Sequence, residues 1–410
     1  LFTAVLLSQA ITAQTTLIPD ANFEQALINL GYDTGTPDGS VLTANISSVI
    51  TLSIANKNIS DLTGIEDFIV LGYLACSNNL LTSLDVSNNT ALTTLYCSNN
   101  LLTSLDVSNN TALYYLECIY NQLTSLDVSG ATALVSLKGY GNQLTSLDVS
   151  LNTALTTLYC SSNQLTSLDV SQNPAIVTLF CAYNQLTNLD VSQNTAILNL
   201  YCNFNQLTSL DVSQNTALVV LGYKNNQLTS LDVSQNTALV SLFGEGNQLT
   251  SLDVSQNTAL TYLGCDSNQL NCLNVKNGNS MNMNFRATNN PNLTCIEVDD
   301  VAYATTNWTI ANGSIDGTAS FSTDCNNPCS SSTTGIAEYG HSFNLYPNPT
   351  TSIVTADGIK GTFELFNILG KLMQTSKTNT IDLTQLARGI YLLKATDEQG
   401  RVYSQKIIKE

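Results

Sequence analysis

Nine aspartates recur every 21 residues: Asp85, Asp106, Asp127, Asp148, Asp169, Asp190, Asp211, Asp232 and Asp253. Each sits inside the phrase LTSLDVS or LTNLDVS. A period of about 20–29 residues with leucines at fixed offsets marks a solenoid of stacked coils. Such a chain works through a long surface rather than a pocket.

One coil reads LxxLxCxxNxLxxLDVSxNxx, as in Leu92, Leu95, Cys97, Asn100, Leu102, Leu105, Asp106, Val107, Ser108 and Asn110. It is nested: LTTLYCSSNQ and LTSLDVSQNTA share one skeleton. Each half has a short alternation, L-Y-C or L-D-V, with two apolar residues inward and one residue outward. The pattern predicts two strands per coil and two parallel sheets with leucines between them. About eleven coils are expected from Val49 to near Val298, the first and last degenerate. A single coil cannot bury its apolar face, so neighbours must stack.

Ten asparagines, from Asn79 and Asn100 through Asn247 and Asn268, recur at one corner of the frame. Their amides are suited to bonding backbone groups left open where the chain turns. The frame over residues 49–300 resembles the bacterial leucine-rich repeat class with a nested 21-residue unit. The resemblance implies a right-handed solenoid used for recognition, and no particular ligand.

The chain opens with LFTAVLLSQAITAQ, which reads as the apolar core and cleavage site of a secretory signal peptide over residues 1–13. An N-terminal cap is expected over 14–48. In it PDANFEQALINLG predicts a short helix, with Asp20 as N-cap, Glu24 in the first turn and Gly31 as stop. Phe23, Leu27 and Leu30 would cover the open end of the solenoid. A C-terminal cap with Trp308 and Phe321 is expected over 301–325, then a linker over 326–335.

Composition changes after the linker. Residues 1–335 hold five of the thirteen Lys+Arg and 24 of the 31 Asp+Glu, so the acidity lies in the solenoid. Residues 336–410 read as an all-β module. Its motifs are Tyr346-Pro347-Asn348-Pro349, Leu365-Phe366-Asn367 with Gly370, Leu386-Ala387-Arg388-Gly389-Ile390-Tyr391, and a terminal KIIK. These closely resemble the type A C-terminal sorting domain of the Bacteroidetes type IX secretion system. The resemblance implies export across both membranes, recognition of the tail by the secretion machinery, removal of the tail, and surface attachment or release.

Of the eleven cysteines, seven occupy the repeat frame: Cys76, Cys97, Cys118, Cys160, Cys181, Cys202 and Cys265. Gly139, Tyr223 and Gly244 take that place elsewhere, so the site reads as core, where a thiol acts as a small hydrophobe. Cys272 and Cys295 stand at one frame position on successive coils and are expected to form a disulfide; Cys325 and Cys329 stay open.

Catalysis has little support. The one histidine is His341, and no phosphate loop, CxxC or HExxH occurs. An acidic solenoid disfavours nucleic acid, and no apolar run reaches the roughly 20 residues of a membrane span. The informative contrast is internal. LDVS is nearly constant, whereas the LxxLxC half varies outward. The candidate binding face is Tyr96, Tyr115, Tyr120, Tyr159, Phe180, Tyr183, Tyr201, Phe204, Phe243 and Tyr262, with Tyr140 beside them. The opposing reading is that stacked rings only stabilise the sheet. The aspartate row needs an offset for its self-repulsion: hydrogen bonds, protonation, or weak calcium at positions such as Asp148, Asp169, Asp190 and Asp211. No other cofactor is expected. The expected function is a secreted recognition protein holding an extracellular protein or glycan. The alternative is a structural or adhesive surface protein whose acidic row and cations give cohesion.

Overall fold

The structure, a computed structural model, describes residues 13–325, 329, 344–357, 360–367, 371–397 and 402–410. The expected leader, His341, Gly370 and nearly all of the linker lie outside these residues. The chain divides into two units, Leu1–Ser331 and Ser332–Glu410.

In the first unit, twelve three-residue strands form one parallel sheet, one strand per coil, from Thr51–Ser53 to Asn284–Arg286. Twelve coils thus contribute a strand to this sheet, against the expected eleven or so. Leucine pairs with leucine between coils, as in Leu137, Leu158, Leu179 and Leu200. The alternation follows the frame: in Thr157–Tyr159 the leucine is buried and its neighbours face outward. The inward leucines form one continuous core. Each contributes on the order of 1.5–3 kcal/mol on full burial.

The second side departs from expectation. Its strands form only near the two ends, as a pair (Ser104–Asp106, Ser125–Asp127) and a set of four (Ser251–Asp253, Cys272–Asn274, Cys295–Glu297, Ser320–Ser322). Among the described residues, the LDV segments at Asp148, Asp169, Asp190, Asp211 and Asp232 form no strand. Their valines stay buried and their aspartates outward all the same. The apolar alternation sets side-chain direction, but a strand also needs the next coil at ladder distance. Here the inter-coil backbone bond is kept at the corner, as in Gln185 N–H to Leu165 O at 2.8 Å.

Two asparagine columns hold the coils. In the expected one, Asn184 is buried. Its Nδ2 donates to Cys160 O and Cys181 O, at 3.0 and 3.1 Å, and its Oδ1 accepts from Leu165 N at 3.0 Å. The second column, from Asn89 and Asn110 to Asn257, is fully buried. Asn194 Nδ2 donates to Val170 O and Asn173 O, both at 2.8 Å, while its Oδ1 accepts no bond from the protein.

The seven frame cysteines are free and buried. Burial pushes the thiols of Cys76, Cys118, Cys160 and Cys202 up to about 12, and those of Cys97, Cys181 and Cys265 well up. Tyr223 fills the same slot, and the next coil compensates: a Cβ on Gly244 would come within 2.1 Å of the Tyr223 hydroxyl.

The expected Cys272–Cys295 bond is not formed. Cys272 bonds Cys329 and Cys295 bonds Cys325, with Cα–Cα distances of 5.2 and 5.8 Å. In-register neighbours on parallel strands send their Cβ atoms out side by side, whereas a disulfide needs them turned toward one another. The segment after the last coil folds back and supplies those partners.

The N-terminal helix runs Ala21–Leu30. Asp20 Oδ1 accepts the amides of Asn22 and Phe23, and Gly31 closes the helix at φ 82°. Asp20 Oδ2 also accepts from Ser60, tying the cap to the first coil. Phe23 and Leu27 cover the core as expected, but Leu30 is exposed and Ala26 takes its place. Glu24 is buried rather than a surface charge, and accepts the amides of Asp38 and Gly39, both at 2.7 Å. At the far end the helix Val301–Asn307 brings Trp308 onto Phe285, with ring centroids 4.4 Å apart, and Phe321 packs beside it.

The second unit is all β. A three-stranded antiparallel sheet (Asn344–Tyr346, Ile353–Asp357, Thr380–Asp382) accompanies a four-stranded one (Gly361–Asn367, Leu372–Ser376, Gly389–Asp397, Val402–Lys409). Its own core contains Val354, Phe363, Leu365, Leu393 and Ile407. The YPNP motif pins the last strand: Asn348 Nδ2 donates to Lys406 O at 2.7 Å and its Oδ1 accepts from Ile408 N at 2.9 Å.

Candidate recognition surface

All ten expected aromatic residues lie on one side of the solenoid, on the twelve-stranded sheet or the turn that follows it. They form two tracks.

The first runs along the strands. Tyr73, Tyr96 and Tyr115 stand at successive centroid distances of 5.7 and 5.1 Å. Tyr159 and Phe180 are stacked at 4.4 Å, and Tyr201 meets Phe180 edge-on at 4.7 Å. Phe243 and Tyr262 follow at 4.5 Å. Tyr73 belongs to this track and was missed, although it occupies the frame position just before Leu74. Glycine shapes the track at one point: Tyr201 lies against Gly222, where a Cβ would come within 2.8 Å of its ring.

Three cations sit on this face, each next to a carboxylate: Lys138–Glu117 at 3.8 Å, Lys224–Glu245 at 2.9 Å and Arg286–Asp266 at 3.3 Å. Lys138 Nζ also lies between the rings of Tyr115 and Tyr159, at 5.1 and 5.7 Å, within cation–π range. The face is thus locally charge-balanced. Desolvation raises the hydroxyls of Tyr115 and Tyr262, so they remain protonated donors.

The second track lies in the turn after the strand. One position there is left-handed in every coil: Asn56, Asn78, Asn99, Tyr120, Gly141, Ser162, Tyr183, Phe204, Asn225, Gly246, Ser267 and Asn289. Glycine and asparagine adopt this conformation cheaply, and a bulky side chain does so at a cost of roughly 1–2 kcal/mol. Three coils nevertheless carry aromatic rings, at φ 50°, 55° and 53°. These rings are not core: Tyr120 is 57%, Tyr183 54% and Phe204 39% exposed. Tyr183 and Phe204 stack at 4.2 Å, and Tyr120 meets Tyr140 edge-on at 5.2 Å.

The aspartates occupy the other side. In every copy Oδ1 accepts the amide of the serine two residues on, at 2.8–2.9 Å. That amide lowers Asp127, Asp169 and Asp190 below the usual carboxylate value, with the serine hydroxyl adding to it. For Asp85 and Asp148 the hydroxyl is the larger influence. These five carboxyls are therefore held ionised at neutral pH. Among the described residues, no group of three or more His, Cys, Asp or Glu is placed to hold a metal ion, and none of the nine forms an ion pair. Between the first two coils of the row, Ser83, Asp85, Ser87, Ser104, Asp106 and Asn109 line a hollow of about 370 Å³.

The profile of the family described as the secretion system C-terminal sorting domain matches residues 344–410. No curated protein is significantly similar to the chain. Among solved structures, the functional domain of InlJ from Listeria monocytogenes, which includes a cysteine ladder, is similar with 26% identity and a TM-score of 0.53. That match covers 98% of this chain and 100% of the other. An internalin, InlF, from Listeria monocytogenes strain 4b F2365 is 23% identical at a TM-score of 0.61, covering 75% of this chain and 91% of that one. A leucine-rich repeat protein of Leptospira interrogans is 22% identical at a TM-score of 0.50, covering 68% and 81%. Among the described residues, no helix is long and apolar enough to cross a membrane. The sorting domain addresses the chain to the extracellular or cell-surface space. With its stacked leucine coils and its matched tail, the chain is a leucine-rich repeat protein that carries a type IX secretion sorting domain.

Proposed function

We propose that the exported solenoid is a recognition protein, not an enzyme, and that it holds an extracellular protein through its aromatic side. The observation that carries this reading is the left-handed track. Tyr120, Tyr183 and Phe204 hold a strained backbone and leave their rings in solvent. Strain without burial is retained for something outside the chain. A protein partner is favoured over a glycan by ring geometry. Tyr159–Phe180 and Tyr183–Phe204 are stacked within 10° of parallel, so they spend their faces on each other and present edges. Sugar rings stack on free faces, whereas edges suit the side chains of a protein.

The test compares the full chain with Tyr183→Asn/Phe204→Asn against extracellular protein extracts and immobilised glycans. Saturable protein binding lost in the variant supports the reading. Equal binding by both chains sinks it, and binding confined to glycans replaces the partner class.

A second reading has its own observation: nine aspartates on the constant side with no ion partner among the described residues. Under it, the row binds calcium weakly and coheres with other copies. Sedimentation with and without calcium checks it, since an unchanged monomer removes it.

A further inference from the structure

The four-stranded sheet of the sorting domain has two apolar faces, and packing within the domain accounts for one. Phe363, Leu365, Leu393 and Ile407 are buried on the inner face. On the outer face, Phe366 stands in direct register with Leu372 and Leu392, and one step along Ile390 pairs with Ile408. Directly paired residues share a face with Cβ atoms roughly 5 Å apart, so these five form a contiguous patch. Leu372, Ile390 and Leu392 are 47%, 50% and 39% exposed.

The other end of this face is what a solvated antiparallel sheet should look like. There Thr362 pairs with Thr396, and Glu364 bonds Lys394 at 2.9 Å. The change from polar to apolar along one face is therefore local. At the apolar end, Lys371, Arg388 and Lys406 are exposed and make no ion pair among the described residues. An apolar patch of this kind, rimmed by polar groups, marks a docking site.

We propose that this patch is the surface by which the export machinery holds the tail, and that its partner is an apolar surface ringed by carboxylates. The domain is a sorting domain by family. The unpaired cations around the patch give the charge of the complementary rim, which steers encounter and sets specificity.

The experiment uses the full chain in a host carrying this secretion system, and measures the share of chain reaching the outside. In Ile390→Thr/Leu392→Thr the strand formers are kept and the apolar contact is removed. Export is expected to fall about tenfold, the equivalent of a single lost anchor of about 1.4 kcal/mol. The purified variant should melt at the wild-type temperature. Wild-type export from the folded variant overturns the proposal. So does loss of a dimer with export intact, which would assign the patch to a second copy. If that variant fails to fold, Arg388→Glu/Lys406→Glu decides: slowed export supports the proposal, and unchanged export overturns it.

Discussion

The two halves of each coil start from one skeleton and diverge. In the LxxLxC half the chain forms a strand in all twelve coils, closes its turn on a fully bonded asparagine, and varies outside. In the LDVS half the chain repeats almost without change, yet most copies form no strand. Sequence regularity is thus not ladder regularity. The varied half is the rigid one, a sheet that can change its outer side chains because its backbone bonds do not depend on them. The constant half holds its shape by side chains: Asp to the serine amide, and a buried asparagine to two carbonyls.

The largest expected test of this contrast is alkaline pH, because the inward slot is Cys in one half and Val in the other. Burial raises the folded thiols, so stability is fully present below the unfolded value near 9 and is lost as pH rises toward 12. Each thiol adds up to about 1.4 kcal/mol per pH unit. Denaturant melts at pH 8 and pH 10 should differ by several kcal/mol. Replacing Cys160, Cys181 and Cys202 with valine should shrink that difference; an unchanged difference would assign it to other groups.

The asparagine columns come next. Asn184→Ala leaves the buried Leu165 amide without its acceptor and removes two bonds to carbonyls that keep a second donor, and should cost about 2–3 kcal/mol in denaturant melts. Asn194→Ala strands no amide, since Val170 O and Asn173 O each keep a backbone donor and its own Oδ1 is already unpartnered, so it should cost less. Equal losses would mean that the two columns are interchangeable.

Relief of the left-handed rings has the opposite sign. Tyr183→Asn/Phe204→Asn should raise stability by about 1 kcal/mol in the same melts, after the lost ring stack is deducted from the relieved strain. A destabilised variant would show that these rings serve the fold.

Smallest is the aspartate row. Its lowered carboxyls give stability that is present above the unfolded value near 4 and is lost as pH falls through the folded values. Asp169→Asn/Asp190→Asn should leave the melting temperature in excess calcium almost unchanged. A calcium-dependent shift seen only in the parent chain would establish cation binding.

Much of this was legible beforehand. Period, inward leucines and the first asparagine column followed from spacing, because a stacked coil repeats its environment every turn, whereas the tail module followed from its change of composition and the resemblance of its motifs. Asp20, Gly31, Trp308 and the YPNP motif were readable from local chemistry. The second asparagine column stood in the motif as Asn110, and only its full burial showed its weight.

Residue order along one coil thus determined which side chains face in, which face out, and where the chain must turn, since each is a matter of near-neighbour geometry. Tertiary structure decided the rest. Whether LDV becomes a strand depends on the distance to the next coil. Which cysteines meet depends on where residues 325 and 329 are carried by the fold-back. That Tyr120, Tyr183 and Phe204 are strained depends on a left-handed turn whose other occupants in the same row are the smaller asparagine, glycine and serine. These are relations between coils, and a one-dimensional repeat does not contain them.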